Sequence, residues 1–165
     1  MVATPHILAG AALGRLSGRA WLALPVGVAS HYVLDSIQHV DVPRLFHYAP
    51  GFVAQKVAII LADACLGILV VLLCARKDRL RVPLIVGAVG GVLPDVVDYG
   101  PWRHWLPLVP GWDTISHLHH AVQPPYDDSQ LVVAIATQVA VAAGSLLVLT
   151  VLRRRAEADA SVAPR

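Results

Sequence analysis

The sequence predicts an all-α membrane bundle of about five hydrophobic helices, some of them short or broken, and three observations carry that prediction. Hydrophobic residues make up 56% of the 165 residues and charged ones only 15%, against roughly half and a quarter in ordinary soluble domains. Five apolar segments follow one another along the chain, and two have the roughly 20 residues that a bilayer span needs. The basic residues collect in alternate connections: Arg15 and Arg19; then Arg76, Lys77, Arg79 and Arg81; then Arg153, Arg154 and Arg155.

The segments run from about residues 4–16, 21–38, 52–74, 82–97 and 130–152. The third and fifth are full length. The first, second and fourth are short or interrupted by Pro, Gly, His and Asp. They read as bundle-interior or half-membrane helices, because polar membrane segments survive only when protein covers them or they line a cavity. In the first, Thr4 and Pro5 suit a helix start, and Gly10 and Gly14 form a small-xxx-small packing face. No basic region precedes this stretch as it would in a cleaved secretory signal, so it is expected to be retained. In the fourth, Pro94 suits either the start of a new helix or a kink. Cys65 and Cys74 lie nine residues apart on nearly opposite faces of one helix, so they cannot pair and read as small hydrophobes. Residues 1–152 form a single membrane-embedded domain, and residues 153–165 a basic, disordered tail.

An up-down bundle puts the three basic clusters on one side. The positive-inside rule makes that side cytoplasmic, together with the C-terminus. Ten of the 13 Lys and Arg then lie inside. The other, extracytoplasmic face of this integral membrane protein holds all eight histidines. It also holds Tyr48, Trp102, Trp105, Trp112 and Tyr126, an interfacial aromatic belt.

That face also carries the residues suited to chemistry. His31 and Asp35 are spaced i, i+4 and share a helix face, with His39 one further turn along. Such a pair can ligate one metal, bridge two, or simply lock helices by a buried hydrogen bond. Asp95 and Asp98 follow Gly90, Gly91 and Pro94, either as ligands or as helix-capping groups. His117 and His120 share a face at i, i+3 while His119 points elsewhere; the spacing does not separate the first two as ligands. His6 falls in the first turn of its helix on the same membrane side. Asp63, mid-way along the third segment, either reaches a recessed site or pairs with a hydroxyl or amide such as Gln138. The candidate metal ligands are His6, His31, Asp35, Asp95, His117 and His120. Zinc suits a set of imidazoles and carboxylates, as one ion or more. No nucleotide-binding loop, nucleophile elbow or basic stripe for nucleic acid is present.

Thr-Pro-His6-Ile-Leu-Ala-Gly10, Ser-His31-x-x-x-Asp35, Leu-Pro94-Asp95-x-x-Asp98 and Ile-Ser-His117 together resemble the YdjM-like family of small, predicted membrane-bound metal-dependent hydrolases. The resemblance touches about two thirds of the chain. That family is thought to be distantly related to the all-helical zinc-dependent phospholipases C and single-strand nucleases. The resemblance implies His6, His31, Asp35, Asp95 and His117 as ligands. The sequence departs from the family pattern at Trp112–His117, where a His-Arg pair is missing; His104, His119 or His120 would have to replace the lost imidazole.

The expected function is metal-assisted hydrolysis of phosphoesters, including lipid headgroups of the surrounding bilayer, at the outer face. Asp35 or Asp98 would take the proton and Arg103 would stabilise developing charge. The alternatives are a non-enzymatic metal-binding or transport protein, and a structural membrane protein whose His–Asp pairs lock helices.

Overall fold

The computed structural model describes residues 2–40, 53–76, 78–125 and 128–162. Tyr48, Lys77 and Tyr126, named above, and His47 of the eight histidines lie outside the described residues. Within them the chain forms six α-helices and no strand: α1 (Ala3–Ser17), α2 (Ala20–Asp35), α3 (Val53–Ala75), α4 (Arg81–Tyr99), α5 (Trp112–Ala121) and α6 (Leu131–Val162). Five correspond to the apolar segments. The sixth, α5, is a short helix carrying the histidine tract.

Three stretches are long and apolar enough to cross a membrane: Ala54–Ala75, Arg81–Tyr99 and Leu131–Ala158. The second comes from a segment that the sequence reads as short, with Pro94 as a helix start or a kink. In the structure α4 runs through Pro94 to Tyr99, although a proline there cannot donate to the carbonyl one turn before it. The chain is thus a membrane protein built around α3, α4 and α6. Their outer faces are apolar and open, with Leu61, Leu66, Leu69, Val139 and Leu147 each more than half exposed.

Helices α1 and α2 have 15 and 16 residues, or about 22–24 Å, too short for a hydrocarbon core of about 30 Å. Gly18, in the left-handed region at φ +67°, ends α1 and lets the chain turn directly into α2. Both short helices pack mainly on α4. The reason is steric. Gly10 and Gly14 of α1 and Gly27 of α2 meet the α4 backbone around Gly87, Gly90 and Gly91 so closely that a Cβ at any of them would overlap main-chain atoms. Ile7, Leu8 and Ala11 of α1 then complete a core with Val71, Leu84 and Leu149 from the spanning helices.

Polar clamps fix both ends of α1. At its C-terminal end the buried Arg15 guanidinium pairs with Asp78, and its Nη2 donates to the Leu152 carbonyl at 3.1 Å. That ties α1 to the α3–α4 turn and to α6. At the other end Thr4 was expected to cap its own helix. Instead Asp63 of α3 accepts from the Thr4 backbone N–H at 3.0 Å, and the Thr4 hydroxyl donates to the Asp63 carbonyl at 2.7 Å. A carboxylate from a neighbouring helix satisfies an amide that a helix start leaves bare and meets the positive end of its dipole. Gln138 of α6 accepts from the Val2 N–H at 3.3 Å and donates to the Val40 carbonyl at 3.1 Å. Both intramembrane polar groups are therefore held by backbone.

These contacts also set depth. Asp63 lies ten residues into α3, about 15 Å from its start. The N-terminal end of α1 is therefore level with the middle of a spanning helix.

One sequence expectation is overturned at the C-terminus. The chain does not fray after residue 152; α6 continues through the arginines to Val162. Arg153 and Glu157 pair at 2.8 Å one turn apart, and the alternation of Ala with Arg and Glu has high helix propensity.

Candidate metal centre

The ends of α1, α2 and α4 converge on one point, and α5 closes over it. His31 and Asp35 project from one face of α2 into the bundle, where both are almost fully buried. Asp95 comes from the last turns of α4. His119 comes from α5. One ligand-type atom from each of these four residues lies within 4.8 Å of the other three. His31 Nε2 is 3.1 Å from Asp35 Oδ2 and 3.6 Å from Asp95 Oδ1. His119 Nε2 is 3.2 Å and 3.6 Å from the same two atoms. The two Nε2 atoms are 3.1 Å apart.

Hydrogen bonds on the far side of each ring decide what faces the centre. His31 Nδ1 lies 2.8 Å from the Gly91 carbonyl, which can only accept, so Nδ1 carries the proton. His119 Nδ1 lies 3.0 Å from Asp98 Oδ2, also an acceptor. Each neutral ring therefore turns an Nε2 lone pair inward. Two lone pairs and two carboxylates then face one another in a buried space. Such a set is suited to a shared cation or proton. The outer hydrogen bonds are also those that orient histidine ligands in metal sites.

Asp35 has a second set of neighbours. Its Oδ1 is 3.1 Å from His6 Nε2 and 3.9 Å from His39 Nε2. The His6 ring is fully buried and stacks on His31 at 4.2 Å, with its Nε2 against Asp35 and its Nδ1 without a hydrogen-bond partner. His39 Nδ1 donates to the Ile37 carbonyl at 2.7 Å. One carboxylate thus stands between two pairs of imidazoles, which is the geometry of a bridging ligand.

The structure brings His6, His31, Asp35 and Asp95 together as the sequence expected. It departs in α5. His117 and His120 are exposed, and His119 is the imidazole that enters the cluster. The reason is the rotation of α5. Its inward face carries Trp112, Ile115, Ser116 and His119, the first three lining an apolar slot against α2 and α4. His119 follows Ile115 by one turn and Trp112 by two, so the apolar pattern of the helix indicated the inward histidine, and the i, i+3 match between His117 and His120 did not. Asp98 sits behind His119, also accepting from Ser116 Oγ at 2.9 Å and lying 3.2 Å from His120 Nε2. Its position suits orienting His119 rather than taking a proton from substrate. Asp35, 1% exposed and shared by several rings, is likewise placed as a ligand rather than a free base. Arg103 lies outside the cluster, in an open bowl with His104, His117 and His120.

Burial alone would lower the His119 pKa, but the Asp35, Asp95 and Asp98 carboxylates outweigh it and hold the ring above its ordinary value. A proton on Nε2 meets the same demand as a cation. Metal must displace it, so metal affinity falls as the pH drops through that raised value. Asp98→Asn removes one of the carboxylates responsible and the acceptor that orients the ring. Zinc affinity is expected to fall by roughly 10–100-fold, and the pH below which affinity begins to decline should move down with the ring's pKa. A competition titration with a chelator at several pH values reads both. Unchanged affinity in the variant would remove Asp98 from the centre.

No protein-family model, curated protein or solved structure matches this chain.

Proposed function

We propose that the chain is a membrane-embedded, metal-dependent phosphoester hydrolase, in keeping with its resemblance to the YdjM-like family, and that its metal is zinc. The observation that carries this reading is the pair of inward-facing Nε2 lone pairs on His31 and His119, set against Asp35 and Asp95 with both Nδ1 protons engaged elsewhere. Two imidazoles and two carboxylates match zinc better than the all-oxygen sets that magnesium and calcium take. His6 and His39 around the second oxygen of Asp35 favour a second ion.

Bound zinc would supply an acidified water and a polarising charge on a phosphoryl oxygen. The chain's residues supply the rest. Gly91 and Asp98 fix the two rings. Asp95, 26% exposed at its side chain, is the most open of the central carboxylates and the one best placed to take the proton. Arg103 and the exposed histidines stand where an anionic group would arrive. The charge bias puts this face outside the cytoplasm and the arginine clusters inside.

Transport is the weaker reading. A carrier needs a polar path leading on towards the arginine side. Asp63 and Gln138, the two residues suggesting one, are held by the backbone of Thr4, Val2 and Val40.

The experiment is to purify the protein without a histidine tag, measure bound metal by mass spectrometry, and assay a panel of phosphomonoesters and phosphodiesters before and after chelation. Zinc at one or more equivalents, with turnover that disappears on chelation and returns with zinc, is the expected result. Zinc without turnover would favour a non-catalytic metal protein. No zinc after reconstitution would leave the cluster as a helix lock.

A further inference from the structure

We infer that the substrate is a phosphoester carrying a hydrocarbon chain, taken sideways from the bilayer, with its chain in the slot between α2, α4 and α5 and its phosphate in the bowl beside it. This rests on the hydrolase reading above and names the substrate class for that site.

The slot is a cavity of about 160 Å³ walled by Val28, Leu93, Val97, Trp112 and Ile115, with Asp98 and His119 at its polar edge. Its volume is close to that of an apolar cavity that takes up benzene, about 150 Å³, although the slot is open on one side. It therefore fits a short run of hydrocarbon rather than a whole lipid. Apolar side chains lie exposed around it: Ile115 of its wall is 50% exposed, and Val33 and Val96, next in sequence to the lining residues Tyr32 and Val97, are 60% and 42% exposed. A water-soluble phosphoester would have no use for an apolar slot against the metal centre of a recessed site.

The bowl is wetter and larger, about 480 Å³. Arg103, His104, His117 and His120 line it, and it shares Asp98, Trp112 and Ser116 with the slot. Of its two carboxylates, Asp98 is already engaged by Ser116, His119 and His120. Setting Asp98 and His120 aside as partners of one another leaves Asp113 and Arg103, with the His104 and His117 rings able to donate to an anion. Slot and bowl meet along the Asp98–Ser116 edge beside His119. A molecule with its chain in one and its phosphate in the other places the ester bond next to the cluster.

The test uses the full-length, zinc-loaded protein in amphipol, titrated with butyl phosphate and dodecyl phosphate, with zinc content measured on each sample. Wild type should bind the dodecyl compound at least about tenfold more tightly, because each methylene removed from water adds favourable free energy. Ile115→Trp fills the slot from an exposed position. It should abolish most of that preference and leave zinc unchanged. Arg103→Ala should weaken both ligands and keep the preference. Val28→Trp, on the opposite wall, repeats the test if Ile115→Trp loses zinc. An equal chain-length preference in wild type and both tryptophan variants would assign the effect to partitioning into the amphipol and overturn the inference, leaving the hydrolase reading intact. A wild type that holds no zinc would overturn the hydrolase reading, and this inference with it.

Discussion

Asp35→Ala is expected to strip the protein of zinc. The carboxylate is almost fully buried and lies within 3.2 Å of the Nε2 atoms of His6, His31 and His119. Removing it leaves imidazole lone pairs facing one another, with Asp95 as the one central carboxylate to balance a dication. The loss of affinity should exceed the roughly 10–100-fold that follows from altering a group that merely orients a ligand. Metal content should drop from one or more equivalents per chain to near zero, and turnover with it. Asp35→Asn keeps the shape and removes the charge, so it separates coordination from packing: it too should lose zinc while the bundle stays monodisperse. Wild-type zinc in both variants would show that the cluster binds none through Asp35.

The second large effect is expected far from the metal. Arg15 and Asp78 are buried together at the opposite end of α1, and the guanidinium also reaches the Leu152 carbonyl. Arg15→Ala leaves the Asp78 carboxylate buried without its guanidinium. Losing one partner of a buried ion pair typically costs 3–5 kcal/mol. The whole stability of an ordinary domain is about 5–15 kcal/mol. Thermal unfolding in detergent should therefore shift down markedly, while any sample still folded keeps its zinc. Unchanged unfolding in Arg15→Ala would mean that the glycine seam alone holds α1 in place.

The bundle was legible in the sequence because composition and charge placement act over whole segments. So was most of the cluster. His31 and Asp35 share a face by spacing alone, and His6 and Asp95 sit at the matching helix ends. What the sequence withheld was rotation and pairing. His119 was set aside because His117 and His120 matched a helical spacing. Yet half-buried Trp112 and Ser116 share the face on which His119 is buried, and burial outranks the spacing of like residues. Asp98 read as a reactive carboxylate, since nothing local shows that His119, 21 residues on, would donate to it. Asp63 could not be paired with Thr4 from sequence, because the contact joins helices 59 residues apart. The basic tail read as disordered from its charge, although its alanines and the Arg153–Glu157 spacing favour helix.

The contact between Asp63 and Thr4 has a bearing on how the protein is made. A helix that begins half-way through the hydrocarbon exposes bare amides there, each costing several kcal/mol in lipid. Helix α1 is synthesised before α3, which carries the carboxylate that receives one of those amides. Alone, α1 is too short to cross and has no group of its own to cover its start. The start of α1 therefore gains its cover only when α3 is beside it. The cluster draws His6, His31 and Asp35 from α1 and α2 and Asp95 from α4, so it is complete only once the two short helices have packed on the glycines of α4.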